Sequence, residues 1–466
     1  MDTDILSMTA PISERELATS AFRNRLDKIQ GGILKAHGRN KAALLLFRIP
    51  SHVRTDVAKQ WLGDFAARYV TSSLQQFRQA RRREASVGVD GQSAAEDEIF
   101  ASVLLSAAGY KRLGYDVRGF RDTSFTKSMA TAGPELLRDP EPAEWEDRYR
   151  QLVDGMILLA RDDASALDRV TTAVIRDSTA AGIECFREDG EAPRGEGDTF
   201  RDPFGYAHGV SQPLFFGEEI KRLGTTRKWD PSATPDLVLV RDPLVADDGD
   251  ALGSYLVYRK LETDVPAFEA AVSALARALN PGLAAAPDSE HAAALVAGRY
   301  RSGAPLTTGA PRAASQTSND FNFDADRAGR VCPLHSHIRK ANPRGSGPHG
   351  LADEREHRIA RRGLNYGATG GASGKQGMLF MCYQAKIQRQ FEFIQRRWLN
   401  DANFPADQTG RDPLGAGDPT APAQRWPASG RSGGSQAFQL GGYVSLRGGE
   451  YFFAPSITFL DRLRSR

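Results

Sequence analysis

Apolar runs of strand length that alternate with amphipathic helical segments restrict the fold of this sequence more than any other feature. In the first half, strands are predicted at residues 43–49, 99–105 and 156–160, and helices at 53–79 and 163–181. The first helix rests on apolar residues spaced by four, such as Trp61, Phe65 and Tyr69. This β-α-β-β-α order is typical of a ferredoxin-like α+β unit. Such a unit ends with a fourth strand, whose position the sequence pattern does not assign.

The second half repeats the pattern and predicts a second unit of the same kind. Strands are predicted at 254–261 and 377–384, helices at 265–279 and 387–400, and a late hairpin of 442–446 with 451–454. Segments rich in Gly, Pro, Asp or Ser at 187–235, 301–330 and 408–436 are predicted as loops. We therefore predict an α+β protein of two ferredoxin-like domains with antiparallel sheets, bounded at residues 1–235 and 236–466.

The charge balance, the apolar runs and the cysteines argue against several classes of protein. With 61 basic and 58 acidic side chains the net charge is +3, so a nucleic-acid partner is not indicated. No stretch approaches the roughly 20 apolar residues that span a bilayer, and the first 22 residues lack the apolar core of a secretory signal. The three cysteines are too few and too scattered for a disulfide framework. We expect a soluble cytoplasmic protein without a membrane or nucleic-acid partner, and the sequence does not indicate an oligomeric state.

Residues 332–344, Cys-Pro-Leu-His-Ser-His-Ile-Arg-Lys-Ala-Asn-Pro-Arg, bring two histidines, one cysteine and several cations together. A neutral imidazole is a good iron ligand, and a guanidinium presents a fork of donors that suits propionate or phosphate oxygens. On these residues alone the segment predicts an anionic-ligand site. The alternative, a zinc site at Cys332 and His335, lacks two further ligands at suitable spacing.

Two further segments carry weaker signals. Residues 201–213, Arg-Asp-Pro-Phe-Gly-Tyr-Ala-His-Gly-Val-Ser-Gln-Pro, place His208 in a turn flanked by glycines. Glycine there permits positive φ or the close approach of a flat ligand to the backbone. Residues 361–367, Arg-Arg-Gly-Leu-Asn-Tyr-Gly, run two arginines into a turn. Each segment taken alone is equally typical of a solvated side chain or helix end.

Together the three segments resemble the dye-decolorising peroxidase family, in its longer bacterial and fungal branches. The family's Gly-x-x-Asp-Gly motif stands here as Gly205-Tyr-Ala-His208-Gly209, so its distal aspartate is replaced by His208. The match to Cys-Pro-x-x-x-His-Ile-Arg-Lys-x-Asn-Pro-Arg identifies His337, and not His335, as the proximal haem histidine. Arg361, which one residue separates from a Gly-x-x-Tyr-Gly turn, matches the family's distal arginine. The resemblance extends from about residue 27 to the end of the chain.

The resemblance implies a peroxidase that uses hydrogen peroxide to oxidise small organic reductants, such as dyes and phenolics, one electron at a time. It implies haem b in the C-terminal domain, with His337 on the iron and with His208 and Arg361 as catalytic residues. The other residues that it places at the cofactor are Gly205 and Gly209 in the distal turn, Arg339 near a propionate, and Met378 and Phe380 over the distal face.

The histidine at position 208 permits three interpretations. In the first, His208 is the base that moves the peroxide proton; since imidazole has a reference pKa of about 6.5 against about 3.9 for aspartate, the activity optimum would shift from acidic toward neutral pH. In the second, Arg361 suffices and His208 tunes access. In the third, peroxidase activity is weakened: the haem serves another specific oxidation or is only bound, or His208 itself ligates the iron.

Several supporting roles stay open at the level of sequence. Asp202 either supplies a second carboxylate or forms a turn before proline. The hydrogen-bond partner of His337 is expected near residues 384–388, with Glu392 as a candidate if its helix turns it inward. The aromatic side chains that either relay radicals to the surface or simply pack are Trp229, Trp398, Trp426 and Tyr451.

Overall fold

The computed structural model describes residues 4–86, 98–192, 200–209, 211–222, 229–280, 288–309, 319–367, 375–415, 423–427 and 435–464. Its strands are β1 (Lys41–Arg48), β2 (Phe100–Ser106), β3 (Gly155–Arg161), β4 (Glu184–Glu191), β5 (Val240–Arg241), β6 (Leu252–Thr263), β7 (Ala360–Arg361), β8 (Leu364–Tyr366), β9 (Gly377–Gln384), β10 (Gln424–Pro427), β11 (Ser435–Phe438) and β12 (Val444–Ala454).

Its α-helices are α1 (Glu14–Ala18), α2 (Ser20–Asp27), α3 (Thr55–Tyr69), α4 (Ser73–Ser86), α5 (Ala107–Arg112), α6 (Thr123–Lys127), α7 (Met129–Leu137), α8 (Ala164–Ala180), α9 (Gly217–Arg222), α10 (Val265–Leu279), α11 (Ser289–Ala297), α12 (His337–Ala341), α13 (Gly350–Glu356), α14 (Phe391–Phe393) and α15 (Ile457–Arg462). None of the helices within these ranges combines the length and the apolar character needed to cross a membrane.

The first half forms the predicted ferredoxin-like unit. Its strands pair antiparallel in the order β2-β3-β1-β4, so the strand left open by the sequence is β4. Residues 42–47 of β1 are completely or almost completely buried because both neighbours and both faces are covered, which is why the strand reads as an unbroken apolar run. Helix α8 begins at the cap Asp163, whose side chain accepts from the backbone N–H of Ala166.

The second half forms a matching antiparallel sheet in the order β12-β6-β9-β8. The two sheets meet along both edges, β12 with β2 at Phe452 and Phe453, and β4 with β8 at Glu191. Since β6 also pairs with β9, eight of the described strands close into one ring. The fold class of two ferredoxin-like units with antiparallel sheets is confirmed, and their joining into a ring is a feature that the sequence pattern did not predict.

The helix predicted over residues 53–79 is two helices. Helix α3 ends at Tyr69 and α4 begins at Ser73, and the residues between them pair with other parts of the chain. The N–H of Thr71 donates to the carbonyl of Ala101 (3.0 Å), and the carbonyl of Thr71 accepts from Gly31 (2.7 Å). These tertiary bonds replace helical ones, so the continuous apolar period was misleading.

The predicted late hairpin is wrong, because β12 runs through it as one strand. The strand has a bulge between Leu446 and Gly448, and it pairs with β6 on both sides of the bulge. A side chain at Gly448 would overlap the ring of Tyr149, so this glycine permits close packing and does not form a turn.

Two other predictions need correction. The helix expected at 387–400 is the short α14 followed by a π-helical segment, Ile394–Leu399. The segment 408–436, expected at the surface, contains the buried residues Asp412, Gln424 and Trp426, while its residues 416–422 and 428–434 lie outside the described ranges.

Candidate functional site

A cavity of about 880 Å³ lies against the second sheet. Alternate residues of β6 and β9 line it, because side chains on a strand point to opposite faces in turn. Those of β9 are Met378 and Phe380, while Leu379 between them is buried in the core. The first residue of α12, His337, and the loop that carries His208 also line the cavity.

His337 is oriented by a buried carboxylate that lies 75 residues away in the chain. Its Nδ1 lies 2.8 Å from Oδ2 of Asp412, whose side chain is fully buried. The other oxygen of Asp412 accepts from the N–H groups of Leu414 and Gly415, each at 2.8 Å. The bond at Nδ1 leaves the Nε2 of His337 as the nitrogen available to a metal ion.

The pKa values of this pair follow from the contact. Burial disfavours the charged imidazole, but the carboxylate of Asp412 outweighs it and raises the pKa of His337. Burial likewise disfavours the charged carboxylate, but His337 outweighs it and lowers the pKa of Asp412. The carboxylate therefore adds electron density to the imidazole, as the metal-binding histidines of many proteins require.

The partner of His337 was not found by sequence reasoning, which expected it near residues 384–388. Asp412 lies in a segment with loop composition, and no local pattern marks it. The alternative candidate, Glu392, is buried elsewhere and accepts from the hydroxyl groups of Ser124 (2.9 Å) and Tyr451 (2.8 Å).

His335 occupies a different environment from His337. It is 1% exposed and packs edge-on against Trp426, with ring centroids 4.3 Å apart, whereas the side chain of His337 is 35% exposed. Burial lowers the pKa of His335 to about 3. Within the described ranges, no group of three His, Cys, Asp or Glu side chains is arranged to hold a metal ion, so the zinc alternative at Cys332 and His335 is wrong.

The loop that carries His208 is held by its apolar residues. Phe204 packs on Phe268 of α10 at 4.4 Å between ring centroids, and the Tyr206 hydroxyl donates to the carbonyl of Ala293 (2.8 Å). Gly205 has φ +87° and Gly209 has φ +75°, conformations that favour glycine. Gly209 lines the cavity, whereas Gly205 shapes the turn behind it.

His208 itself is half-buried at the cavity wall. The backbone N–H of His208 donates to the carbonyl of Phe200 (2.6 Å), and the imidazole lies edge-on to the Phe200 ring, with ring centroids 5.1 Å apart. Burial, followed by the charge of Arg361, lowers the pKa of His208 to about 3. The ordinary value near 6.5, on which the sequence-based pH prediction rested, therefore does not apply in this site.

The structure bears out one of the two roles that the sequence left open for Asp202, that of a turn former. Its side chain accepts from the N–H of Tyr206 (3.0 Å), which is the contact of a turn former, and it also lines the cavity. Burial raises the pKa of Asp202 to about 6.

Arg361 lines the same cavity at the end of β7. One guanidinium nitrogen, Nη2, donates to the carbonyl of Ser211 at 2.7 Å. Burial lowers the pKa of Arg361, yet a guanidinium stays charged at any physiological pH. The cation and the imidazole of His208 therefore share one cavity and are held by the same loop.

Arg339 does not occupy the position that was expected of it. It is 1% exposed, and its guanidinium donates to the carbonyls of Cys332 (2.8 Å) and Asp326 (2.8 Å) and approaches the Asp326 carboxylate (3.3 Å). It is absent from the described residues that line the cavity. The propionate contact predicted for Arg339 is therefore wrong in this geometry, because its guanidinium is directed into the protein and not into the cavity.

Several other arginines line the cavity, and three of them are Arg299, Arg344 and Arg358. Burial lowers the pKa of Arg299 to about 10. Burial, together with the charges of Arg299 and Arg358, lowers the pKa of Arg344 well below its ordinary value. Mutual repulsion among buried cations is relieved by an anionic ligand. Of the three, only Arg344 lies in the segment that sequence reasoning singled out.

The cavity has the donor set that an iron porphyrin requires. His337 offers Nε2 backed by Asp412, and the three arginines offer partners for carboxylates. The apolar side chains of Met378 and Phe380 suit a flat macrocycle. Of the aromatic residues that were considered for radical transfer, Trp398 stacks on Phe404, with ring centroids 5.3 Å apart, and also lines the cavity.

Comparison with known proteins matches both halves of the chain to one family. Residues 28–192 match the DyP dimeric alpha+beta barrel domain, and residues 291–409 match the C-terminal region of Dyp-type peroxidases. The chain is 35% identical to the multifunctional dye peroxidase DyP2 of an Amycolatopsis species, over 96% of this chain and 97% of that protein. It is 28% identical to the dye-decolorizing peroxidase msp1 of Mycetinis scorodonius, over 98% and 91%. A DyP-type peroxidase from Anabaena superposes with a TM-score of 0.88 at 35% identity, covering 99% of both chains.

Proposed function

The chain belongs to the dye-decolorising peroxidase family and is a haem enzyme, and we propose that it oxidises organic substrates, including dyes and phenolics, one electron at a time with hydrogen peroxide. The observation that carries this proposal is the meeting in one cavity of His337, backed by Asp412, with His208 and Arg361. The cofactor we propose is haem b, bound in the C-terminal half. When bound, it supplies a redox-active iron that peroxide oxidises and that organic reductants return to its resting state.

His337 would bind the iron through Nε2. The carboxylate of Asp412 accepts a hydrogen bond from the Nδ1–H of His337 and holds the ring in one orientation. An electron-rich imidazole would favour the higher oxidation states of iron. Arg344, with Arg299 and Arg358, would bind the propionates, since all three side chains line the cavity and a guanidinium suits a carboxylate.

His208 would act on the proton of peroxide. With a pKa of about 3, its imidazole is neutral over the range in which proteins are usually assayed, so one of its ring nitrogens is free to accept a proton. The same low pKa makes the protonated ring a good acid, so it readily gives the proton to the departing oxygen.

Arg361 would stabilise negative charge as the O–O bond of peroxide breaks. Its guanidinium is fixed by the carbonyl of Ser211, so it does not need to reorient during the reaction. A preorganised cation in a site shielded from water contributes more than the same cation in bulk water.

A pair of substitutions in one turn tests the proposed function. We expect the wild-type protein to bind haem, to change its absorption spectrum on mixing with hydrogen peroxide, and to oxidise an added dye. His337→Ala should lose haem binding and this activity, whereas His335→Asn, two residues away and outside the cavity, should keep both. Equal loss in both variants would contradict His337 as the ligand, and a wild-type spectrum unaffected by peroxide would contradict the peroxidase function.

A further inference from the structure

The side chain of Gln212 bonds both backbone polar groups of Arg361. The N–H of Arg361 donates to Oε1 of Gln212 at 3.1 Å, and Nε2 of Gln212 donates to the carbonyl of Arg361 at 3.3 Å. The neighbouring Ser211 adds the carbonyl that accepts from the Arg361 guanidinium at 2.7 Å. Two consecutive loop residues therefore bind the backbone and the side chain of one arginine.

Gln212 provides these bonds at the free edge of a very short strand. The two residues of β7 pair with β9 on one side, Arg361 opposite Cys382. The N–H of Arg362 still donates to the carbonyl of Met381 (2.7 Å), and the next paired residue, Leu364, begins β8. The amide of Gln212 therefore serves as the second neighbour that an isolated two-residue strand lacks, because it carries one acceptor and one donor like a peptide unit.

The same loop carries His208, four residues before Gln212. The far end of the loop is anchored separately: the N–H of Ile12 donates to Phe215 at 2.8 Å, and Gly217 donates to Ile12 at 2.9 Å. Between these anchors and the buried Phe204, the side chain of Gln212 links the loop to the backbone of Arg361, beside the bond from the Arg361 guanidinium to Ser211. A shift of either element without this link would change the spacing between the imidazole and the guanidinium.

We propose that Gln212 is a positioning residue that fixes Arg361 relative to His208. The proposal rests on the proposed function, since it concerns the spacing of the two groups that act on peroxide. Gln212 itself does not exchange a proton. A displacement of about 1 Å in a reacting group is enough to reduce a rate by roughly 100-fold.

The test compares two glutamine-to-methionine variants of the haem-loaded protein. Gln212→Met removes both bonds at nearly constant volume. Gln30→Met is the matched control: Gln30 bonds the N–H and the carbonyl of Val103, each at 2.8 Å, and is not among the residues that line the cavity. Both variants lose a bridging amide, so a general loss of stability should affect both alike.

We expect Gln212→Met to lower the bimolecular rate constant for peroxide by at least about 10-fold with an unchanged KM for the reductant. Gln30→Met should keep the wild-type rate constant. In hydrogen exchange, the peptide that contains the Arg361 amide should exchange faster in Gln212→Met only. Gln212→Glu keeps the acceptor for that amide and should recover part of both the protection and the rate constant. If Gln212→Met does not fold, Gln212→Glu tests the positioning role in its place. Its rate constant should then lie between those of wild type and Arg361→Ala.

An unchanged peroxide rate in Gln212→Met, or an equal loss in Gln30→Met, would overturn the positioning role. If Gln212→Glu is the variant that decides, a rate equal to wild type would overturn it as well. Failure of the wild-type protein to react with peroxide would instead overturn the proposed function. In that case the exchange of the Arg361 amide still reports whether Gln212 holds β7, so the two failures are distinguishable.

Discussion

At the scale of single residues, the contact between His337 and Asp412 does two things at once. It fixes the tautomer and direction of the imidazole, and it keeps a buried carboxylate charged by pairing it with a ring and with two backbone N–H groups. The carboxylate is therefore held rigidly before any ligand binds. The resemblance to the family identified the imidazole but not the carboxylate that orients it.

Asp412→Asn should weaken haem binding by about 10- to 100-fold, the usual effect of removing such a partner. The amide still accepts a hydrogen bond from Nδ1, but it no longer donates charge to the ring. The measurement is the rate of haem transfer to an excess of a haem-binding scavenger. Asp242→Asn, the same change in a buried carboxylate that binds Ser456, is the control and should transfer haem at the wild-type rate.

The same pair should stabilise the haem-free protein within a limited pH range. The pKa of Asp412 is lowered on folding, so its contribution is present above about pH 4 and is lost as the pH falls through the folded value. The pKa of His337 is raised, so its contribution is present below about pH 6.5 and is lost as the pH rises through the folded value. The stability difference between wild type and Asp412→Asn, from urea unfolding, should therefore be largest between these limits, and a difference that is constant from about pH 3 to 9 would contradict the pairing.

At the scale of elements, Arg339 ties helix α12 to the loop before it. Its guanidinium binds the carbonyls of Asp326 and Cys332 and stacks on the Phe323 ring, 4.5 Å from its centroid. The side chain therefore supports the helix that begins with His337 from behind. A basic residue two positions after the ligand suggested a propionate partner, but the helix turns it away from the cavity.

Arg339→Met should lower the free energy of unfolding by roughly 3 kcal/mol, because it leaves buried acceptors and the Asp326 carboxylate without their partner. The haem affinity of the folded fraction should stay near that of wild type. Arg344→Met, which removes a cation that lines the cavity, should weaken haem binding measurably. If Arg339→Met weakened haem binding more than Arg344→Met, the assignment of the two arginines would be reversed.

The elements that were predicted correctly are those whose pattern is local. The helix Val265–Leu279 and the strand Gly377–Gln384 have the predicted bounds, because the periodic pattern of apolar residues in each segment ends at the same residues as the element. The break between α3 and α4 and the continuity of β12 depend on contacts with distant residues such as Ala101 and Tyr149. Such contacts leave no periodic signal in the sequence.

At the scale of the whole molecule, the ring of strands is closed by short seams. Only two residue pairs join β12 to β2, and one pair joins β4 to β8, within the described residues. An ion pair crosses between the two halves: Nζ of Lys260 on β6 lies 3.0 Å from the carboxylate of Glu188 on β4 and 2.9 Å from that of Glu146. The side chains of Lys260 and Glu188 are each 8% exposed, so the contact is shielded from solvent.

Lys260→Met should therefore destabilise the protein by about 3–5 kcal/mol, since it removes the lysine partner of the buried Glu188 carboxylate and leaves Glu146 beside it. The double variant Lys260→Met with Glu188→Leu should recover part of that loss, because it removes one of the stranded charges. The measurement is urea unfolding of the haem-free protein. A single variant as stable as wild type would show that the ion pair does not hold the two halves together.

We propose that His208 takes the place of the family's distal aspartate as a neutral base. Because burial and Arg361 lower its pKa to about 3, the base function should be present above about pH 3 and lost only as the pH falls through that value. The sequence-based expectation of an optimum shifted toward neutral pH assumed a pKa of about 6.5 and is replaced by this one.

The most direct test is the bimolecular rate constant for hydrogen peroxide, measured by stopped flow between about pH 3 and 8. For wild type we predict a rate constant that is level down to about pH 4 and falls only below it, and for His208→Ala a loss of at least about 100-fold. His52→Ala, the same change at an exposed residue, should match wild type. A wild-type profile with its midpoint near pH 6.5, or a His208→Ala variant that reacts at the wild-type rate, would contradict the claim.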